Sequence, residues 1–352
     1  MANSTNEKTV RSWLTIFFGT LLALFLLGAS TGFYLYQQVL GNNLNLNNDT
    51  LLTIPKNCSL KELSEILEEQ KIVKSGNSFL LTTQYIISYN LKSGKYKIPK
   101  TTKNNRQLIR ILQGHQLEIK LTFHNFRVKE QLAAYVGSKI AADSAEIIDL
   151  LKDTNYLKQF GYTPETVMAV FIPDTYYLYW NCTVIEFWKR MLKENAKFWN
   201  NERKEKANLL GLSQTEIYIL ASIVESETKY KPERPRIAGV YLNRLKTKGW
   251  KLEADPTVIF GIGDFSITRV LNRHLEFKSP YNTYLNPGLP PGPIYMSSIN
   301  SIDAVLNYEK HDYMFFCAKP DKEGEVNTHA FAKTHKTHLR NAKIYWRWLR
   351  SQ

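Results

Sequence analysis

Between Trp13 and Tyr36 the chain carries no charged side chain and is dominated by Leu, Phe and other apolar residues. A stretch of about 24 such residues spans ~30 Å of hydrocarbon at ~1.5 Å per residue with some tilt. Inside lipid every backbone N–H and C=O must find its partner within the segment, which leaves a single helix as the solution. Trp13 at one end and Phe33, Tyr34 and Tyr36 at the other suit the two bilayer interfaces. A cleaved leader has an apolar core of only ~7–15 residues, so this segment reads as an uncleaved anchor. Lys8 and Arg11 precede it, while Gln37–Thr50 contains no Lys or Arg. The positive-inside rule then puts the N-terminus in the cytoplasm and the remaining chain outside it.

The 352 residues suffice for two or three compact units, and 43% hydrophobic with 12% aromatic content indicates folded cores. A formal charge of +14 calls for an anionic partner such as a membrane surface or an acidic polymer. The basic residues fall in short groups, Lys92–Lys103 and Lys333–Arg350, with no nucleic-acid-binding motif beside them, so nucleic acid is not expected. Cys58, Cys182 and Cys317 are too few and too scattered for a disulfide framework or a zinc site. The His329, His335, His338 group reads as a hydrogen-bonded helix flank, and neither metal nor cofactor is expected.

The organisation predicted is a cytoplasmic N-terminus at 1–12, the span at 13–36, an Asn-rich linker at 37–50, a small α+β region at 51–125 and a larger α+β domain at 126–352. Within the small region, Leu51–Ile54 and Gly94–Ile98 read as strands. Ser59 and Glu62 form a capping box that opens a helix to about Gln70, and a second helix runs over Ser78–Tyr89. Asn105–Gln113 is a helix stopped by Gly114, Leu117–Phe123 a strand, and Val128–Val136 a helix. Glu186–Lys206 has the periodicity of one amphipathic helix.

One later helix stands apart. Ser213 and Glu216 form a capping box, and Ile217, Leu220, Ala221, Val224 and Thr228 follow on one face. Glu225 falls at the margin of that face. A carboxyl held against apolar neighbours resists ionisation and serves as a general acid near neutral pH. The competing reading is an ordinary surface glutamate, the usual fate of a carboxylate.

Downstream stand Gly239-Val240-Tyr241-Leu242-Asn243-Arg244-Leu245, Ala254-Asp255-Pro256-Thr257-Val258-Ile259-Phe260-Gly261, Ser279-Pro280-Tyr281-Asn282-Thr283-Tyr284 and Gly288-Leu289-Pro290-Pro291-Gly292-Pro293-Ile294. With Pro173-Asp174-Thr175-Tyr176 and the His329-x-Phe331-x-x-Thr334-x-x-x-His338 pattern, these strings resemble the membrane-bound endolytic murein transglycosylases, the MltG or YceG-like family. The resemblance implies a LysM-like small subdomain and an α+β catalytic domain that cleaves nascent peptidoglycan glycan strands with Glu225 as acid and base. It also implies a 1,6-anhydromuramic acid product, a role in limiting strand length, and peptidoglycan synthases as neighbours in an inner-membrane setting. Thr228, Asn243, Asp255, Thr257, Tyr281, Asn282 and Thr283 carry over as substrate-binding or site-supporting residues.

Read from the residues alone, the site has one well-placed acid and no clear second carboxylate. Glu227 leaves the helix in another direction, and Asp255 lies in a Pro-bounded turn. A single carboxyl suffices where the substrate's own C6 hydroxyl is the nucleophile. A muramidase that hydrolyses the same bond, and a non-catalytic wall-binding or division scaffold, are the alternatives. Two departures from the family pattern are Glu253, where many relatives carry Gln and which adds a carboxylate near the site, and Tyr295-Met296-Ser297-Ser298; neither is read as touching Glu225. If the orientation is as derived, a C-terminal reporter that works only outside the cytoplasm will be active. Activity of a cytoplasm-only reporter at that end would reverse the topology.

Overall fold

The apolar stretch forms part of one unbroken helix, α1 (Asn3–Leu40). In the computed structural model of the chain, which describes residues 3–85, 90–114, 116–124, 126–321 and 328–351, the side chains from Trp13 to Tyr34 are all exposed. Trp13–Leu40 is long and apolar enough to cross a membrane. The chain divides into one unit of Met1–Ile119 with Tyr179–Asn181 and a second of Lys120–Leu178 with Cys182–Gln352.

After α1 the first unit contains β1 (Thr50–Ile54), α2 (Leu60–Glu69), α3 (Gly76–Tyr85), β2 (Gly94–Ile98) and α4 (Asn105–Gln113). β1 and β2 pair antiparallel with Thr50 opposite Ile98 and Ile54 opposite Gly94. Leu52, Ile54, Tyr96 and Ile98 therefore share the face that packs on α2 and α4, the alternation expected of half-buried strands. The Ser59–Glu62 capping box forms as the sequence predicts. The second helix begins earlier than expected, at Gly76, and the predicted stretch 86–89 lies outside the described residues.

The Asn-rich stretch expected as a linker is instead partly built into this unit. Asn43 and Leu44 are buried, and Leu44 bridges to Val73. The reason is a polar hub around the fully buried Asn105. Its Nδ2 lies 3.0 Å from the Gln38 carbonyl, 3.0 Å from Ser78 Oγ and 3.1 Å from Thr82 Oγ1, while its Oδ1 accepts from Asn43 at 2.8 Å. Buried amides demand such partners, so the end of α1 is drawn onto α3 and α4.

The chain enters the second unit through β3 (Glu118–Thr122), followed by α5 (Lys129–Gly137), α6 (Ser144–Lys152), α7 (Thr154–Lys158), β4 (Thr175–Tyr179) and α8 (Val184–Phe198). β4 pairs with β3. Phe123, Phe171, Phe187 and Trp188 fill the core here, with Phe171 stacked on Phe187 at 6.0 Å. The single helix predicted over Glu186–Lys206 is two. The chain leaves helical geometry at Trp199, and Asn200 caps α9 (Asn201–Leu210) by accepting from Arg203 N. Helical periodicity runs on across the junction, but an Asn side chain that satisfies first-turn amides makes a fresh start favourable.

The remainder comprises α10 (Gln214–Glu227), α11 (Arg234–Lys246), α12 (Asp255–Ile262), α13 (Asn272–Leu275), α14 (Ile299–Leu306), the hairpin β5 (Phe315–Ala318) and β6 (His329–Ala332), and α15 (His335–Arg350). Phe315 pairs with Ala332 and Ala318 with His329. α10 is the axis of this half. All residues from Ile217 to Val224 are buried, where the sequence suggested a single apolar face. A helix apolar on every side needs neighbours on every side, and α9, α11, α12 and α14 supply them. The fold is thus α+β with one N-terminal membrane-length helix.

Asn105→Ala removes a partner from Asn43 and from the Gln38 carbonyl without relieving their burial. A loss of about 1–3 kcal/mol is expected in reversible denaturation, and an unchanged midpoint would show that the hub is not what ties α1 down.

Candidate active site

Glu225 and Glu227 stand at the C-terminal end of α10, two positions apart, and so leave the helix on nearly opposite sides. Their surroundings differ as sharply as their directions. Glu225 lines a cavity of about 370 Å³ with the apolar Pro256, Ile259, Phe260, Phe265 and Ile294, and its carboxyl is also bonded to polar partners. Its Oε1 accepts from Arg234 Nη2 at 2.9 Å, and both side chains are largely buried. Its Oε2 accepts from the backbone N of Ser298 at 3.2 Å, from Ser298 Oγ and from Ser301 Oγ at 2.6 Å. Arg234 is held in turn by Ser298 Oγ and Asn300 Oδ1, at 3.0 and 3.1 Å. The departure at Ser297-Ser298 therefore does touch Glu225, because α14 points its N-terminal turn at that carboxylate.

Glu227 faces a cavity of about 330 Å³ lined also by Tyr241, Arg244, Glu253, Asp255, Tyr284, Phe315, Phe316, His335 and His338. The Tyr241 hydroxyl donates to its Oε1. Burial pushes the Glu227 carboxyl up to about 7, with the nearby Asp255 acting in the same direction. Its place at the C-terminal end of α10 reinforces this, since the negative end of a helix dipole disfavours an anion. Burial likewise raises Asp255, although the Tyr284 hydroxyl donating at 2.7 Å partly stabilises its charge.

Glu253 enters the same cavity from a left-handed backbone, φ 51°, a conformation uncommon for a side chain of this kind. Its carboxylate lies 4.0 Å from Arg244 Nη1. That guanidinium is already committed to backbone, with Nη1 donating to the Leu252 carbonyl and Nε to the Met314 carbonyl at 2.8 Å. Arg244 thus fixes the β5 end and the Leu252 loop against each other.

Among the sequence-predicted residues, only Asp255 shares the Glu227 cavity. Thr257 and Thr283 join their hydroxyls at 2.8 Å, and Thr283 Oγ1 accepts from Ala254 N at 3.0 Å. Asn282, fully buried, donates to the carbonyls of Leu275 and Phe277, both at 2.9 Å. Tyr281 packs on Phe260 at 4.7 Å. These bonds hold the segment that presents Glu253 and Asp255. Asn243 donates to the carbonyls of His311 and Tyr313 at 2.7 and 3.0 Å, and Thr228 shapes the exit from α10 by accepting from Tyr230 N at 3.0 Å.

Tyr241, Arg244 and Tyr284 were within the quoted strings, yet nothing in their spacing marks them as facing Glu227. Arg234 and Ser301 carry no local signal, and Ser298 stands out only as part of the Tyr295–Ser298 departure. His335 and His338 reach the cavity from α15, whereas His329 pairs with Glu233 at 2.9 Å. Among the described residues no group of three His, Cys, Asp or Glu side chains is arranged to hold a metal ion.

The YceG-like family profile matches residues 52–344. The protein of Bacillus subtilis (strain 168) named endolytic murein transglycosylase is 29% identical over 333 residues, covering 89% of this chain and 90% of that one. A protein of the same name from Streptococcus pneumoniae (strain R6) is 25% identical over 347 residues, and the match spans 88% of this chain but 61% of that longer one. Among solved structures, the yceG-like protein lmo1499 of Listeria monocytogenes superimposes with a TM-score of 0.54 at 27% identity, covering 84% of this chain and 99% of that one. A family profile matched from the first strand of the small unit into the final helix leaves no large part of the soluble chain outside it, and the chain belongs to the YceG-like family.

Proposed function

We propose that this chain is an endolytic lytic transglycosylase that cuts the β-1,4 bond between N-acetylmuramic acid and N-acetylglucosamine in nascent peptidoglycan, with Glu227 as its general acid and base. The names of the relatives support the reaction class. The observation that carries the residue assignment is the Glu227 carboxyl, raised to about 7 by burial and facing a cavity open to a ligand. A group of that acidity is both protonated and ready to yield its proton near neutral pH. Glu227 here takes the part that sequence reading gave to Glu225, which lines a cavity of its own but whose two oxygens accept from Arg234, Ser298 and Ser301.

Tyr241 donates to Oε1 of Glu227, which leaves Oε2 to hold the reacting proton. That proton passes to the glycosidic oxygen as the C1–O bond breaks. The C6 hydroxyl of the muramic acid closes on C1, and its proton returns to Glu227. The product is a 1,6-anhydro end, no water is consumed, and the enzyme finishes in its starting state. Asp255 and Glu253 supply negative charge on the same wall, suited to a positive charge developing at C1. The same two carboxylates favour a second reading, a muramidase in which one of them activates water.

The rest of the proposal concerns setting. The membrane-length helix holds the chain in the cytoplasmic membrane with its N-terminus inside, and the second unit works on the outer side beside the peptidoglycan synthases. The β1–α2–α3–β2 unit is a LysM-like module, a type associated with glycan binding.

Glu227→Gln should lower turnover of purified glycan strands by ~10²–10⁴-fold while the fold persists. Mass analysis of wild-type digests should find ends lighter by one water than hydrolysed ends. Reducing ends alone would establish the muramidase, and a fully active Glu227→Gln would remove that residue from the mechanism. Glu225→Gln should instead destabilise, by up to about 3 kcal/mol, because it leaves the buried Arg234 without its counter-charge.

The pH dependence follows from the raised Glu227. Its proton is in place below about 7 and is lost above it, so kcat/KM should fall on the alkaline side. The same shift costs stability: an unfolded glutamate ionises from about 4.5, the buried one only near 7. Wild type should therefore lose stability relative to Glu227→Gln as pH rises through that window. A constant difference in melting temperature from pH 4 to pH 8 would contradict the shift.

A further inference from the structure

The final helix has a feature that the catalytic reading leaves unused. Lys336, Arg340, Lys343, Arg347 and Arg350 follow one another at intervals of four, three, four and three residues, so they form one stripe along α15. All five are exposed. The helix contains no Asp or Glu, and none of the five forms an ion pair among the described residues. Thr337, His338, Asn341, Ala342, Tyr345 and Trp348 occupy the other side, and α15 lies on β5 and β6 with His338 stacked over Phe315 at 5.4 Å.

An ordinary solvated helix face mixes both signs of charge and carries few large apolar groups. This one flanks its cations with Leu339, 55% exposed, and Trp346, 42%, on one side and Ile344, 42%, on the other. Trp346 also lies under the Arg269 guanidinium, 4.9 Å from the ring centre, which adds a sixth cation at the same edge. Cations in register with exposed Trp and Leu have the composition of a helix that lies in a bilayer interface, with the cations at the headgroups and the apolar residues at the acyl boundary.

We propose that the outward face of α15 docks on a bilayer surface containing anionic lipid. A soluble phosphodiester polymer would satisfy the cations but would leave Leu339, Trp346 and Ile344 in water; a lipid surface satisfies both. Each cation near such a surface contributes about fivefold in binding. A chain that also carries a membrane-length helix needs little intrinsic affinity, because the anchor keeps the surface at high effective concentration. The catalytic proposal is not needed for this inference, since none of the five cations lines the Glu227 cavity.

The test uses the full chain in lipid nanodiscs, with a benzophenone side chain introduced in place of Leu339 and the photoadducts identified by mass spectrometry. In discs with roughly half phosphatidylglycerol, adducts to lipid should exceed those in phosphatidylcholine discs at least fivefold, and about 0.5 M salt should erase the difference. Combining Lys343→Glu with Arg347→Glu should cut the lipid adducts more than tenfold while turnover of soluble glycan stays the same. Equal adducts in the two kinds of disc would overturn the proposal. So would adducts confined to the protein itself, or a preference for added polyphosphate over lipid.

Discussion

The second unit depends on burying α10 from every side. Each of its turns from Ile217 to Val224 is in contact with protein, so four helices must assemble around it before it is stable at all. Two polar side chains on this otherwise apolar rod fix the surrounding loops. Tyr218 donates to the Phe171 carbonyl at 2.8 Å and accepts from Ser297 N, and Ser222 accepts from Ile294 N at 3.0 Å. The Pro-rich Gly288–Ile294 strand of chain and the start of α14 are thereby placed relative to the helix end. What emerges from this packing is a rigid stub whose last turn projects two carboxyl groups.

Those two groups show how environment, not residue type, assigns a role. Glu225 is bonded to a guanidinium and to three donors from the start of α14. Glu227 receives one hydroxyl and faces another carboxylate, an arrangement that stabilises a carboxylic acid. Separation by two residues on a helix makes this division possible, because neither side chain can borrow the other's partners.

Much of this was legible in sequence. The capping boxes at Ser59 and Ser213, the strands at Leu51–Ile54 and Gly94–Ile98, and the membrane-length helix are local signals, and local signals survive folding. The helix bearing the site glutamates was also visible. What each glutamate meets was not, because periodicity reports a face and says nothing about what lies against it. Arg234 is nine residues beyond Glu225 and Ser301 is 76 beyond, and only tertiary structure brings both to one oxygen pair. The strings Tyr281-Asn282-Thr283 and Ala254–Thr257 were found as motifs, and their closest relationship proves to be to each other. The break at Trp199 was hidden for a different reason: the side chains on both sides of it keep helical spacing.

The Asn105 hub has a mechanical meaning. Because the last turn of α1 is bonded through the Gln38 carbonyl to three side chains of the first unit, the anchor and that unit move as one body. A flexible tether would let a domain sample every attitude above the bilayer; here the tilt of the membrane helix becomes the tilt of the unit. Where that helix spans a bilayer, hydrophobic mismatch contributes to its tilt, and the direction in which the β1–β2 surface faces follows that tilt.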